Sequence, residues 1–352
     1  MNPLAIILIT VNSIMLIALP RKWAVLPMII GACYMTLDQK IDIGAASLTM
    51  LRILIIAGFI RVVIRNEKIA NPGNMLDYTI LAWSMWAMFS GFYHYDPLRE
   101  LIFRIGIVGD ACGIYFLVRI LCGTLEDFVF WLKILSIALI PVALEMIYEQ
   151  VTAHNLFSIF GGVPESPRVR EGRLRAQGPF AHSILAGTVA AILLPLMFSL
   201  VKIKKELAYA GIVACSVMII TCSSSGPILT AAAGLSVLPL WYFKNDLKKL
   251  RYSAVIGYIL LGFIMEDPPY YIMARIDITG GSTGWHRARL IRSSLEHLKE
   301  WWLWGTDYTR HWMPTGVSWS TDHTDITNQY IKMGVIGGLP LTIIYIISLW
   351  VA

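Results

Sequence analysis

Four arginines crowd the stretch RVREGRLRAQGPFAH, at Arg168, Arg170, Arg173 and Arg175, with no lysine among them. A guanidinium is a fixed planar fork that grips phosphate oxygens in pairs, whereas an ammonium is a mobile point charge, so the cluster suits a diphosphate. The plain alternative is a solvated loop whose charges sit among lipid headgroups. A second cluster follows far downstream, where Asp322, His323, Asp325 and Asn328 fall within DHTDITN. Imidazole takes up a proton near neutrality and a neighbouring carboxylate can fix its tautomer, which is the equipment of a general base. Asp322 and Asp325 remain rival bases, and a hydrogen-bonding loop histidine is the bland reading of His323. A hard-cation loop supplies more oxygen ligands and a glycine turn, so no metal is expected here.

A third set of arginines, Arg287, Arg289 and Arg292, lies in the run from Trp285 to Trp304, which contains no glycine or proline. Ala288, Leu290, Ile291, Leu295, Leu298, Trp301 and Trp302 recur near helical spacing. The expectation is an amphipathic helix on the membrane, with Trp301, Trp302 and Trp304 at headgroup depth and the arginines near the outer lipid surface.

Long apolar runs must position these polar stretches. With 57% hydrophobic and 15% charged residues, the composition lies outside that of soluble domains. Runs of roughly 16 to 24 apolar residues fit helices crossing the hydrocarbon core, not the alternating ten-residue segments of a membrane barrel. The chain therefore reads as an all-α polytopic membrane protein of about 11 (10–12) transmembrane helices. The spans are placed at 4–19, 23–37, 43–64, 75–93, 101–121, 128–150, 183–201, 207–222, 226–243, 252–265 and 333–352. This divides the chain into N-terminal spans (1–150), an arginine-rich loop (151–182), a second set of spans (183–265), a large loop (266–332) and a last span (333–352).

Loops after odd-numbered spans carry most of the short-loop positive charge, from Arg21 and Lys22 through Arg61, Arg65, Lys68 and Arg119 to Lys244, Lys248, Lys249 and Arg251. These should be cytoplasmic, which leaves both large loops on the extracytoplasmic face. The formal charge of +6 is spread over such loops, so it does not point to nucleic acid. Arg52, Arg104, Asp110, Lys133 and Glu145 fall inside spans and call for partners, Lys133 being close enough to an end to snorkel. Arg104 and Asp110 are six apart and need partners on other helices. The five cysteines, in or beside apolar runs without a CxxC pair, read as packing residues. The opening MNPLAIILIT lacks a basic region and a cleavage motif and reads as a retained span. Gly226-Pro227, after three serines, reads as a tight turn between the eighth and ninth spans, with a broken helix as the alternative.

Together the motifs resemble the O-antigen ligase and Wzy polymerase superfamily, membrane enzymes that act on polyprenyl-diphosphate-linked glycans. The resemblance rests on RLRAQGPFAHSILAG (173–187), STGWHRARLIRSSLEHLKEWWLWGTD (282–307) and DHTDITNQYIKMGVIGGL (322–339), and covers most of 145–347. It implies a GT-C-like helical fold and a metal-independent, cofactor-free glycosyl transfer site in a bacterial inner membrane, on the extracytoplasmic side. Carried over residue by residue, Arg173 or Arg175 and Arg287, with Arg289 behind it, would hold the diphosphate, and His323 would be the base. His182, Asn328 and Tyr330 are further candidates. The chain departs from the pattern at Ser183, where proline is usual, and at Thr327, where histidine is usual, which keeps Asp322 and Asp325 open as the base.

The implied partners are a polyprenyl-diphosphate-linked glycan donor, a glycan or lipid-linked acceptor, the bilayer and other polysaccharide-assembly proteins. The implied activity is polymerisation or ligation of repeat units, as in O-antigen or exopolysaccharide assembly, with polymerisation preferred. A sugar C1 on a diphosphate already has a good leaving group, so the protein need only stabilise the departing charge and remove one proton. The alternative is a polytopic transporter or channel for an anion or glycan, with the arginines lining the path. A third reading is a non-catalytic assembly subunit.

Overall fold

The computed structural model describes residues 2–36, 39–44, 46–70, 72–240, 246–275, 284–316, 318 and 320–352. Residues 282 and 283, which open the second stretch of the resemblance, and Lys244 lie outside these residues, as do the side chains of Lys248 and Arg251.

Asn2 accepts the Leu4 N–H and Pro3 fills the first turn, which starts α1 (Pro3–Ala18). Then come α2 (Val25–Tyr34), a hairpin of β1 (Lys40–Ile43) and β2 (Ala46–Thr49), and α3 (Met50–Arg65), which ends on a left-handed Asn66. Helix α4 (Met75–Ser90) opens on an Asn74–Asp77 capping box. It is followed by α5 (Pro97–Leu121) and by α6 (Leu125–Thr152), which opens on a Thr124–Asp127 box. A short hairpin, β3 (Val169–Arg170) with β4 (Arg173–Leu174), precedes α7 (Ser183–Ser199), α8 (Lys205–Thr221), α9 (Ser225–Leu240) and α10 (Leu247–Ile264). The chain closes through α11 (Ile272–Arg275), α12 (Gly284–Glu296), α13 (Leu298–Trp301) and α14 (Gln329–Val351).

Each expected apolar run holds a helix, but Ile43 and Ala46–Thr49 belong to the β1–β2 hairpin and not to a span. Among the described residues four segments are long and apolar enough to cross a membrane: α5, α6, Ser183–Lys202 and α14. The chain is thus a largely helical membrane protein. Helix α2, with 10 residues, rises only about 15 Å and cannot cross a core of about 30 Å.

The main core lies between α6, α7, α8 and α9, around Leu139, Met146, Ala190, Met197, Cys215 and Met218. Small residues bring these helices close: a Cβ on Gly187 would meet Cys222 Sγ at 2.4 Å, and one on Gly211 would meet Met197 Sδ at 2.6 Å. A second core joins α1, α2 and α3, and a third sets α14 against α4 through Trp83, Ala87, Met333 and Leu341. All five cysteines are free, and Cys33, Cys215 and Cys222 are buried as packing residues.

Arg52, Asp110 and Arg104, among the charges expected inside spans, find partners. Arg52 on α3 makes a bidentate pair with Asp110 on α5, both bonds 2.9 Å. Arg61 is fully buried and donates to Glu67 and to the carbonyls of Leu16 and Leu19, the free end of α1. These contacts and the 2.5 Å bond from Arg21 to Ile120 O gather residues 16–24, 61–67 and 120 at one end of the bundle. The opposite end gathers Asn2, His94, the arginine-rich loop, the start of α9 and the segment 284–328, through bonds such as Ala176 N–H to Thr221 O at 3.1 Å. Both large loops share that end.

Candidate functional site

Two carboxylates near the end of α6 hold the arginine-rich loop in place. Glu149 accepts the backbone N–H of Gln177 at 2.9 Å and of Gly178 at 2.8 Å, while Glu145 accepts that of Leu156 at 3.0 Å. Asn155, fully buried, donates to Gly178 O and to Glu149. From this anchor the β3–β4 hairpin projects, turning at Glu171 and Gly172, both with positive φ, as a two-residue hairpin turn requires. Arg168, Arg170 and Arg173 are exposed on it. Arg175 turns inward: its Nε donates to Cys222 O at 3.4 Å, and burial followed by the nearby Arg170 charge lowers its pKa.

Cys222 begins the corner between α8 and α9; the tight turn expected at Gly226-Pro227 falls instead at Cys222–Ser224, and Gly226 and Pro227 lie in the first turn of α9. Ser223 has φ 47° and α9 starts at Ser225, so its first N–H groups open toward this end of the protein. Arg287, from α12, reaches the same corner from the other loop: its guanidinium lies 4.0 Å from where a Cβ on Gly226 would sit. Arg287 Nε is shielded from solvent and has no hydrogen-bond partner among the described residues. His182 caps α7, its Nδ1 accepting the Leu185 N–H at 3.0 Å. Burial lowers the His182 pKa first, and the charges of Arg168 and Arg175 lower it further, while Asp325 acts in the opposite sense. The corner therefore joins Arg175, His182, Arg287 and the positive end of α9, with Asp325 within electrostatic reach.

Asp325 and His323 line a cavity of about 330 Å³ shared with His94, Glu100, Asp307 and Lys332. The Asp325 carbonyl also pairs with His286 Nε2 at 3.0 Å, which ties α12 to this loop. Asp322 lies outside the cavity lining: its carbonyl receives the N–H groups of Thr309 and Arg310, and its side chain meets Thr321. Asn328 caps α14 by accepting from Tyr330 and Ile331, and Tyr330 packs its ring near Tyr345. Arg289 lies over the Trp285 ring and Arg292 pairs with Glu296, so neither joins Arg287 at the corner. Of the four expected diphosphate ligands, Arg175 and Arg287 converge; Arg173 and Arg289 do not.

The expected helix from Trp285 to Trp304 is broken at His297. Its buried residues, Leu290 and Trp301, pack against Trp312, Met313 and Ile331, so this face covers protein and not lipid. Trp301 is buried because Gly334 leaves a flat slot for the indole; a Cβ there would meet the ring at 2.3 Å. Trp304 stacks on Trp86 and Tyr93, which leaves Trp302 as the exposed member of the three.

Several residues of this end are not singled out by sequence reasoning. His94 joins Asp307 through Nδ1, and its Nε2 faces the Arg104 guanidinium at 2.7 Å. Arginine only donates, so Nε2 accepts and both ring nitrogens are engaged. Arg104 also donates to Ala87 O, Ser90 Oγ and Ile336 O. Helix α14 breaks just beyond, at Gly337 and Gly338, the latter with φ 75°. The freed carbonyls of Val335, Ile336 and Gly337 are taken by Thr306 N–H, Arg104 and Trp86 Nε1. The signal for the break was the Gly-Gly pair ahead of Pro340; that for the loop anchor was Glu145 and Glu149 one turn apart in an apolar run.

No protein-family model, curated protein or solved structure matches this chain.

Proposed function

We propose that this chain is a membrane glycosyltransferase that transfers a glycan from a polyprenyl diphosphate to an acceptor hydroxyl, polymerising or ligating repeat units as the O-antigen ligase and polymerase superfamily does. The observation that carries the reading is the meeting of Arg175 and Arg287, from two loops distant in sequence, at the N-terminal end of α9. Two guanidiniums and a positive helix end are the parts needed to hold a diphosphate and to stabilise its charge as the bond to the sugar C1 breaks. The acceptor oxygen forms the new bond to C1, its proton passes to a base, and the polyprenyl diphosphate leaves.

Asp325 is the best-placed base, since it lines the cavity and its charge also reaches His182 beside Arg175. His323 lines the same cavity and is the second choice; the Asp322 position favours a structural role. With α2 too short to cross as a helix, the other apolar helices would make a GT-C-like bundle of about 10 spans, the lower end of the expected 10–12, in the bacterial inner membrane with both large loops extracytoplasmic. A second reading, transport of an anion or glycan, draws on the broken helix at Gly337-Gly338, since broken helices occur at transporter sites. The freed carbonyls here are already held by Thr306, Arg104 and Trp86, so enzyme action is the reading kept.

The test is to mix the purified protein in detergent with extracted polyprenyl-diphosphate-linked repeat units, adding no nucleotide sugar. Growth of a glycan ladder with release of polyprenyl diphosphate, lost in Arg287→Ala and in Asp325→Asn, is the expected result. A ladder lost in His323→Ala but kept in Asp325→Asn would move the base to His323. No turnover by folded wild type, with flux of glycan or anion in vesicles, would replace the enzyme reading by transport.

A further inference from the structure

We propose that His297, Glu300 and His311 bind one transition-metal dication of the zinc type, at the same end of the protein as the arginine corner but apart from it. The proposal does not rest on glycosyl transfer. One ligand atom from each of the three side chains lies within 4.8 Å of the others. His297 sits at the break between α12 and α13, and its Nδ1 donates to Ser293 O at 2.9 Å. That bond fixes the tautomer and leaves the Nε2 lone pair for a metal, the arrangement by which proteins orient ligating imidazoles. Glu300, on α13, accepts from Trp312 Nε1 at 3.0 Å, which orients its carboxylate, and it lies 2.8 Å from His311 Nε2. His311 is held between ring neighbours, stacked on Tyr308 and edge-on to His297 at 4.9 Å. Its Nδ1 is shielded and has no partner among the described residues, so Glu300 alone does not satisfy the ring.

The frame around the three ligands is rigid, because Trp301 and Trp312 are buried in one apolar cluster and the His297 ring stacks on Trp312. Two imidazoles and one carboxylate are a borderline-soft donor set that suits zinc, with a fourth position left for water; magnesium and calcium take oxygen ligands. Tetrahedral ligands at about 2.0–2.1 Å from the ion stand roughly 3.3 Å apart. Small rotations of the exposed Glu300 and His311 side chains bring the three to that spacing. A comparable trio, His94, Glu100 and Asp307, shows what excludes an ion. There Arg104 donates into the group, 2.7 Å from His94 and 3.4 Å from Glu100, and already supplies the positive charge. Arg310, beside His311, instead donates to the carbonyls of Met313, Pro314 and Gly316. An ion at His297, Glu300 and His311 would clamp α13 to the turn Arg310–Trp312, and so steady the chain that leads on to residues 322–328.

The experiment uses the full chain in detergent, stripped of metal by a chelator and titrated with zinc against a chromophoric competitor, with unfolding followed by temperature. One zinc ion per chain and a higher Tm on zinc addition are expected. Glu300→Gln keeps an acceptor for Trp312 and so preserves the fold. It and His311→Ala should each weaken zinc binding at least about 10-fold and abolish the zinc-dependent rise in Tm. Cobalt in place of zinc should give the visible absorption of a tetrahedral site in the wild type alone. Absence of zinc binding by the wild type would overturn the proposal, as would binding and a Tm rise unchanged in both variants.

Discussion

Arg104 and the pair Arg175 and Arg287 are arginines at the same end of one bundle, yet they are used in opposite ways. Arg104 is 1% exposed, and its donors go to Ala87 O, Ser90 Oγ, His94, Ile336 O and Glu100. It holds α4 and α5 to the broken turn of α14 and has nothing left for a ligand. Arg175 makes one long bond, to Cys222 O, and Arg287 Nε has none among the described residues. Residue type does not separate a structural arginine from a binding one; here Arg104 is buried with its donors saturated, while Arg175 and Arg287 are half-buried with donors to spare. A half-buried guanidinium with a shielded donor unmet is costly, and that cost is recovered when an anion with several acceptor oxygens arrives.

The contrast breaks most sharply on Arg104. Arg104→Ala should lower stability by about 3–5 kcal/mol, because it strips the carbonyls of Ala87 and Ile336 and the Glu100 carboxylate of their buried partner. Unfolding by denaturant in detergent reads this, and a loss under 1 kcal/mol would mean that Arg104 is no keystone. Arg287→Ala and Arg175→Ala should do the reverse. Each leaves stability within about 0.5 kcal/mol but lowers kcat/KM for the diphosphate-linked donor by about 10²- to 10³-fold. Lysine at either position should recover only part of this, since it lacks the planar fork. Equal loss of folding and turnover in these variants would erase the distinction.

Gly338→Ala sharpens the comparison from the side of the helix break. At φ 75° and with Leu303 O 2.2 Å from the added Cβ, it should cost about 1–3 kcal/mol and loosen the turn that Arg104 holds. A thermal melt measures it, and an unchanged Tm would show that the break tolerates other conformations.

The smallest effect concerns His182. Its folded pKa lies below the ordinary imidazole value, through burial and then the cations Arg168 and Arg175. The unfolded chain therefore binds a proton first, and this group makes stability fall as pH drops from the ordinary value to the depressed one. An NMR titration of labelled histidine should show the depression, and inorganic pyrophosphate should raise the value by neutralising the arginines. A His182 value at or above the ordinary one, unmoved by pyrophosphate, would separate it from the arginine corner.

The apolar runs alone determined that the chain is helical and membrane-bound, and the charge pattern placed both polar loops at one end, where the structure has them. A tight turn between the eighth and ninth spans was equally legible, although it falls at Cys222–Ser224 and leaves Gly226 and Pro227 in the first turn of α9, because turns and hydropathy are local properties of neighbouring residues. The partners of Arg52 and Asp110 could be required but not named, since their spacing of 58 residues says nothing about contact. Four arginines looked alike at 173, 175, 287 and 289, and only the packing of α12 and of the Glu149-anchored loop decided that 175 and 287 both reach the corner between α8 and α9. The break at Gly337-Gly338 was also tertiary. Its freed carbonyls are bearable only because Arg104, Trp86 and Thr306 arrive from elsewhere in the chain, and a buried polar group is satisfied or costly according to partners that local sequence does not contain.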